Sequence, residues 1–566
     1  MLLTLLACSG APTPPATAVP ASAPAPVYDA IYLAMVDRFR DGAESPHAVA
    51  PDDPQGWHGG DLAGVVQELD RLQDLGIQQL WLTPLQASRQ APFHQWGAYH
   101  GYWPSDWNEL EPRFGSWDDV EALRAGLDER GMSLVLDMVY NHTEFDHPLR
   151  QTHPHWFHPE RTIENWADPD EVLTGQVHGL PDLDQRHPEV AEFLTDATLL
   201  WLEKTGARAI RVDAVRHIHP EFIQNLMASV KARSTQEVTW IGEIFEGDPV
   251  KLNDTWRASG LEEVFDFPLH YALLDTVCGE ADATRLASIL SMDRLYPDPN
   301  RLITFLDNHD RPRFASTCGV PGQTEDALRL LIGLRGRNSW TWGTEAGALG
   351  AHEPENRATV EPHQFLGPTA DSLREAIAFR AAAPVLREGL SALVFLDSDT
   401  SVWLRVHERS SALVIFSKSQ RSDLELPEWI HDLTPKAQLG EVALTSNTLE
   451  VGEGSSILLL EDSQAAGEFF DSEVQRQATP EFVSVHFNTE KEGALSGAGP
   501  EFGNWDTSQA LPIGEEGLSI EVPAGTVLSF KRLHFADGEL QWESGPNRTY
   551  WVNPASPSHV LNLDTQ

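Results

Sequence analysis

The chain has 566 residues, with 85 Asp and Glu against 40 Lys and Arg, for a formal charge of −45. That excess repels phosphate backbones and anionic lipid surfaces, which excludes nucleic acid as a partner and favours a neutral or cationic ligand. The length holds roughly two to four domains, and no run of about 20 apolar residues exists to form a transmembrane helix.

The chain opens with LLTLLAC, residues 2–8. A short apolar run ending Leu-Leu-Ala-Cys resembles a bacterial lipoprotein signal, in which Cys8 becomes the lipidated N-terminus, although the usual basic start is missing. Residues 1–8 are read as that signal. Ser9, rather than Asp, points to the outer membrane. Export is expected, as an outer-membrane lipoprotein or a secreted protein, with Cys8 as the sole membrane attachment. Residues 9–27 are rich in Ala, Pro, Thr and Ser and read as an extended tether. A monomer is expected.

From residue 28 to about 390, short apolar runs alternate with helical patterns. The runs are AIYLAMV (30–36), QQLWLT (78–83), SLVLDMV (133–139), AIRVD (209–213), TWIGE (239–243), EVFDF (263–267), LITFLD (302–307) and SWTWG (339–343). Strands alternating with helices in this number give an α/β fold, a (β/α)8 TIM barrel. A doubly wound sheet is the alternative. Polar residues recur at the C-terminal ends of many of these strands, which is where barrel active sites form. The long gap after the third run, about 142–185, is rich in His, Pro and Trp and reads as a short insertion subdomain. Residues 391–462 change to β patterning, an all-β domain. Residues 463–480 are polar and read as a linker, and 481–555 form a last β-rich module. Cys278 and Cys318 are left as a pair or as free thiols.

The fourth run carries Arg211 and ends at Asp213, a costly placement unless the charges are paired or do work. The fifth run ends at Glu243, and the seventh leads into Asp307, His309 and Asp310. Barrel geometry gathers these at one mouth. Three carboxylates with His and Arg around them fit glycoside hydrolysis, with acid and nucleophile about 5 Å apart in a retaining enzyme. In this reading Arg211 keeps Asp213 ionised and crowded negative charge keeps Glu243 protonated. An acidic metal site on the same scaffold is the alternative.

DMVYNH (137–142), LPDLD (180–184), IRVDAVRH (210–217), GEIF (242–245) and FLDNHD (305–310) resemble, in order, the sequence regions of the α-amylase family of glycoside hydrolases. DRF (37–39), GGDL (59–62), YHGYWPSDW (99–107) and WGTEAGALG with PENR (342–357) extend the likeness over about residues 28–460. The resemblance implies Asp213 as nucleophile, Glu243 as general acid/base and Asp310 as the group that binds and distorts the sugar. Arg211 would orient Asp213. His142 and His309 would bind sugar hydroxyls, and Tyr102 would stack on the sugar with His100 beside it. It also implies a calcium site from Asn141, Asp182 and the backbone carbonyl of His217, oxygen donors of the kind Ca2+ prefers. A second calcium site near the first strand is degraded, with Ala43, Pro46 and His47 where oxygen-bearing side chains are expected. Two departures stand out. Arg216 replaces a common lysine on the leaving-group side. Arg337, Asn338, Trp340 and Trp342 replace the usual eighth-strand residues, with an altered cleft floor expected.

PEFGNWDTSQAL (500–511) and residues 522–548 resemble a starch-binding module of carbohydrate-binding family twenty, a β-sandwich. Trp505 and Trp542 would form a coplanar stacking platform, with Lys531 and Asn547 bonding the glucan. The first strand pair, within HFNTEKEGALSGAGPEF, has no Tyr or Trp, and Gly517-Leu518 lies where an aromatic is usual, so one glucan site is expected rather than two. Starch and related α-glucans are the implied partners. Endo-hydrolysis of α-1,4 bonds is the leading expectation, because the insertion lacks an obvious central aromatic for wrapping a chain. Glucan transglycosylation and non-catalytic glucan binding are the alternatives.

Overall fold

Each of the eight apolar runs is buried on both faces, which a parallel sheet covered by crossover helices achieves. In the computed structural model, which describes residues 29–564 apart from 45, 321, 447, 537 and 538, they close into a barrel. The signal and tether, with Cys8, lie outside the described residues. The strands are β1 (Ala30–Ala34), β2 (Gln79–Leu82), β3 (Ser133–Met138), β4 (Ala209–Val212), β5 (Thr239–Gly242), β6 (Glu263–Phe265), β7 (Leu302–Phe305) and β8 (Arg337–Thr341). Their order around the barrel follows the chain, every pair is parallel, and β1 closes on β8. Each lies within two residues of its expected position.

The first residues of β2, β6 and β8 form a polar layer at the end of the barrel away from the site. Arg337 donates to Gln79 and Glu263, and Arg301 reaches Glu263 at 3.2 Å. Trp340 and Trp342 are fully buried, and Trp342 donates to the Ala358 carbonyl. Asn338 donates to the Leu331 carbonyl of the preceding helix, and Trp340, of the same parity, lies beside Tyr32 on the face that packs against the helices. The eighth-strand departures are thus divided between the two faces of the strand, with Arg337 inside the barrel and Trp340 against the helices.

The two ends of the insertion are joined to each other by short bridges, His142 to Asp182 and Phe157 to Leu183. Cys278 and Cys318, left open by the sequence, are joined in a disulfide. The near-barrel domain is a five-stranded antiparallel sheet with a second small sheet, as the β patterning implied. The stretch read as a polar linker is instead a helix, α1 (Gln464–Ala478), capped by Ser463. Ala466 is fully buried, Phe469 packs on Trp429 and Phe470 on His407. The apolar face at helical spacing is short, and the polar majority of the segment hides it.

The C-terminal module is two small sheets around Phe487, Phe502 and Phe530. The two strands read as its first pair, Phe482–Asn488 and Gly493–Gly497, do not pair with each other and belong to opposite sheets. Among the described residues, no helix is long and apolar enough to cross a membrane.

Glu263 is buried, so removing Arg337 leaves its charge to the half-exposed Arg301 alone. Arg337→Ala is expected to cost about 3 kcal/mol in chemical unfolding. A loss below about 1 kcal/mol would show that the polar layer is not a stability element.

Candidate active site

Strand ends place the chemistry. Asp213 follows β4, and its N–H is held by the Met138 carbonyl at 3.1 Å. Glu243 follows β5, and its N–H donates to Val212 at 3.0 Å. Between them lies Arg211, only 1% exposed. Its Nη1 donates to Asp137 Oδ1 at 2.7 Å and to Asp213 Oδ1 at 2.9 Å, and its Nη2 lies 3.1 Å from Glu243 Oε1. The Ala214 N–H donates to Glu243 Oε2 at 3.0 Å. Ala214 takes a left-handed φ of 51°, which turns the chain sharply beyond Asp213.

Burial pushes the Asp213 carboxyl well above the usual range and raises Glu243 too, with the Arg211 guanidinium opposing both. Burial and Arg211 thus act in opposite directions on the Asp213 carboxyl. One arginine serves three buried carboxyls, so the titrations of Asp213 and Glu243 depend on each other.

Asp310 is different. Burial acts to raise its carboxyl, but His309, Arg357 and Arg211 outweigh this and hold it below the ordinary value. Arg357 Nη2 meets Asp310 Oδ1 at 2.8 Å, and its Nε donates to the His309 carbonyl at 2.8 Å. His309 Nε2 lies 3.1 Å from Asp310 Oδ2. Burial lowers His309 to about 3, so its ring is neutral at ordinary pH.

Tyr102 lies nearly parallel to His309, with ring centres 5.0 Å apart at 7°, and to His100, 5.8 Å apart at 19°. Its hydroxyl donates to Asp137 Oδ2 at 2.7 Å. His142 Nε2 bonds the Tyr102 carbonyl at 3.0 Å, which leaves the buried Nδ1 without a partner. Burial lowers His142 to about 4. Arg216 donates to the Phe245 carbonyl at 3.0 Å and lies 3.6 Å from Glu246, so it ties together the loops that follow β4 and β5.

Asp137 and Arg357 were not assigned roles from the sequence, although both fall in quoted motifs. Asp137 accepts from Arg211, from Tyr102 and from Trp81 Nε1 at 2.9 Å, and is fully buried. A carboxylate inside an apolar run was the available signal. Trp166, in the insertion, is 54% exposed and lies 5.8 Å from His217, so the insertion does carry an exposed aromatic.

Asn141 and Asp182 are brought together under the insertion. Asp182 is 2% exposed and neither of its oxygens has a hydrogen-bond partner. Burial pushes its carboxyl up to about 9, and the Asn141 amide only partly offsets this. Asn141 Nδ2 is also unpartnered. The His217 side chain bonds the Val172 carbonyl at 2.9 Å, separate from the backbone oxygen expected to serve as ligand. Buried oxygen donors with unmet bonding capacity fit a hard cation. Near β1, the Gly42 and Ala43 N–H groups close on Asp61 at 3.1 and 2.9 Å.

In the C-terminal module, the Trp505 and Trp542 rings are 6.0 Å apart but inclined at 51°, not coplanar as expected. Lys531 Nζ donates to the Gly545 carbonyl at 2.6 Å and so holds the loop between Trp542 and Asn547. The Asn547 amide lies 3.5 Å from Ser529 Oγ. Trp505 and Asn547 line a cleft of about 720 Å³ between module and barrel, with Asp248 and Arg285 across it. Asn504 bonds Asp248 at 2.6 Å, and Arg294 pairs with Glu501 at 2.8 Å.

Carboxyls gathered around a buried arginine at the mouth of a closed parallel barrel are the equipment of a glycoside hydrolase. Residues 34–383 match the family model described as the α-amylase catalytic domain, and 482–560 match that of a starch-binding domain. The chain belongs to the α-amylase family and acts on α-glucans as a glycoside hydrolase or transglycosylase.

It is 26% identical over 457 residues to a beta/alpha-amylase of Paenibacillus polymyxa, a match that spans 76% of this chain and 37% of that protein. It is 22% identical over 614 residues to a cyclomaltodextrin glucanotransferase of Klebsiella oxytoca, covering 93% of this chain and 92% of that one. Among solved structures, the α-amylase of Geobacillus thermoleovorans complexed with acarbose superposes with a TM-score of 0.69 at 29% identity, covering 77% of this chain and 99% of that chain.

Replacing Arg357 by Met removes a positive charge from Asp310 and lets its carboxyl rise. The acidic limb of the pH profile of kcat/KM on soluble starch is expected to move up by about one unit. An unmoved limb would show that Asp310 is not held ionised by this contact.

Proposed function

We propose that the protein is a retaining endo-hydrolase of α-1,4-glucosidic bonds in starch and related glucans. The observation that carries this reading is Arg211 bridging Asp213 and Glu243 within one buried cluster. Asp213 attacks the anomeric carbon while Glu243 gives its proton to the departing glycosidic oxygen, which yields a covalent glycosyl-enzyme. The ionised Glu243 then takes a proton from water as that water attacks the same carbon. The Asp213 oxygen leaves, and the α configuration is retained. A proton must sit on Glu243 when the sugar is bound, and Arg211 favours this by stabilising the negative charge on Asp213.

Asp310, held ionised, accepts hydroxyls of the distorted sugar. The free Nδ1 of His142 and the neutral ring of His309 add further contacts, and Tyr102 with His100 forms the aromatic wall. Arg216 fixes the two catalytic loops relative to one another. Asn141, Asp182 and the His217 carbonyl would hold Ca2+, which would neutralise the buried Asp182 and fasten the insertion over the mouth. The Cys278–Cys318 disulfide supports an exported protein, since such bonds persist in oxidising compartments.

Transglycosylation is the second reading. The exposed Trp166 beside His217 favours it, as an aromatic surface where an acceptor sugar can stack.

Glu243→Gln is expected to lower kcat on soluble starch by about a thousandfold while binding persists. Wild-type products should be linear oligosaccharides released as the α anomer, read by NMR and chromatography. Dominant cyclic products would establish transfer instead, and equal, absent turnover in both proteins would refute an enzyme. For the C-terminal module, a calorimetric isotherm with β-cyclodextrin should give one site per chain. Trp505→Ala should weaken that site by about tenfold. Two equivalent sites would overturn the single-site reading.

A further inference from the structure

Beside the site assigned to calcium lies a second group with different chemistry. His158 comes from the insertion, where its N–H bonds the Asp182 carbonyl at 3.0 Å. Asp184 closes the LPDLD stretch, its N–H bonded to the Trp156 carbonyl at 2.8 Å. His219 stands immediately before the helix Pro220–Arg233, in the segment that leaves β4. One ligand atom from each of these three lies within 4.8 Å of the other two.

The Nε2 atoms of His158 and His219 are both buried without a hydrogen-bond partner. The His158 side chain is 6% exposed and His219 is 7% exposed. Two orphaned imidazole nitrogens facing one carboxylate cost free energy unless something joins them.

We propose that His158, Asp184 and His219 bind a borderline-soft divalent cation of the zinc class. Two imidazole nitrogens with one carboxylate oxygen suit zinc, whereas calcium takes oxygen donors alone. Three protein ligands leave one position open. Asp182 Oδ2, 3.9 Å from His158 Nε2, is near enough for a small side-chain shift to bring it there, and water is the other occupant. Arg186, 3.3 Å from Asp184 Oδ1, competes for the carboxylate and must share it.

The ion would fasten the insertion to the segment that leaves the Asp213 strand. Its role is structural, since none of the three residues faces the catalytic carboxyls. The inference does not depend on the hydrolase reading or on the calcium assignment.

The full chain, stripped with chelator and reloaded with saturating Ca2+, is titrated with Zn2+ by calorimetry, with elemental analysis after gel filtration. One tightly held zinc per chain is expected, together with a raised Tm. His158→Gln and His219→Gln should each weaken zinc binding by about 100-fold, with an unchanged circular dichroism spectrum reporting that the variants fold. Co2+ should give the visible absorption of a four-coordinate site in wild type and lose it in both variants. Absence of stoichiometric zinc in the wild type would overturn the proposal. So would zinc held equally well by both variants and lost in His155→Gln, which would place it at the exposed His155, His187 and Glu189.

Discussion

The buried guanidinium of Arg211 is the contact on which the site depends. An isolated charge at that depth costs several kcal/mol, and the chain offsets this with Asp137, Asp213 and Glu243, each within 3.1 Å. The same contacts that make the arginine tolerable fix the nucleophile candidate, the acid candidate and, through Asp137, the Tyr102 hydroxyl. The sign of the cluster matters as much as its geometry. Three carboxyls compete for one cation and burial raises all three, which favours keeping one of them neutral. That is what a mechanism needing one charged and one neutral carboxyl requires.

A second constraint is how the insertion is held. The segment between β3 and β4 is drawn together by bridges from His142 and Phe157 to the LPDLD stretch and seats Trp156 and Leu183 in the main core. Asp182, driven up to about 9 by burial, is a strained element in the absence of a cation, and the strain lies between barrel and insertion. Trp156 and Leu183 also make the packing of the insertion against the barrel partly hydrophobic. The disulfide fastens a different part of the barrel periphery, and the module is fastened by Asn504 to Asp248, five residues beyond Glu243.

Much of the fold was legible because barrel strands are short, apolar and separated by amphipathic helices, so the periodicity speaks for itself. The carboxylates were legible because charges at the ends of such strands are anomalous. Asp137 and Arg357 were not singled out, since each acts through another residue and only packing shows which one. The helix Gln464–Ala478 was missed because a short apolar face among many polar residues has the composition of a linker. The tilt between Trp505 and Trp542 depends on how two loops meet, and local sequence carries no record of that.

The sequence by itself determined the barrel, the β domain and module behind it, and the carboxyl-bearing strand ends, since these follow from local periodicity and from the cost of misplaced charge. Only the tertiary structure decided how charge is shared: one arginine among three carboxyls, Arg357 on Asp310, Arg337 in the lower layer of the barrel. It alone brought His158, Asp184 and His219 to one point. Such groupings arise from long-range closure of the chain, where residues far apart in sequence meet and the local environment sets their protonation and partners.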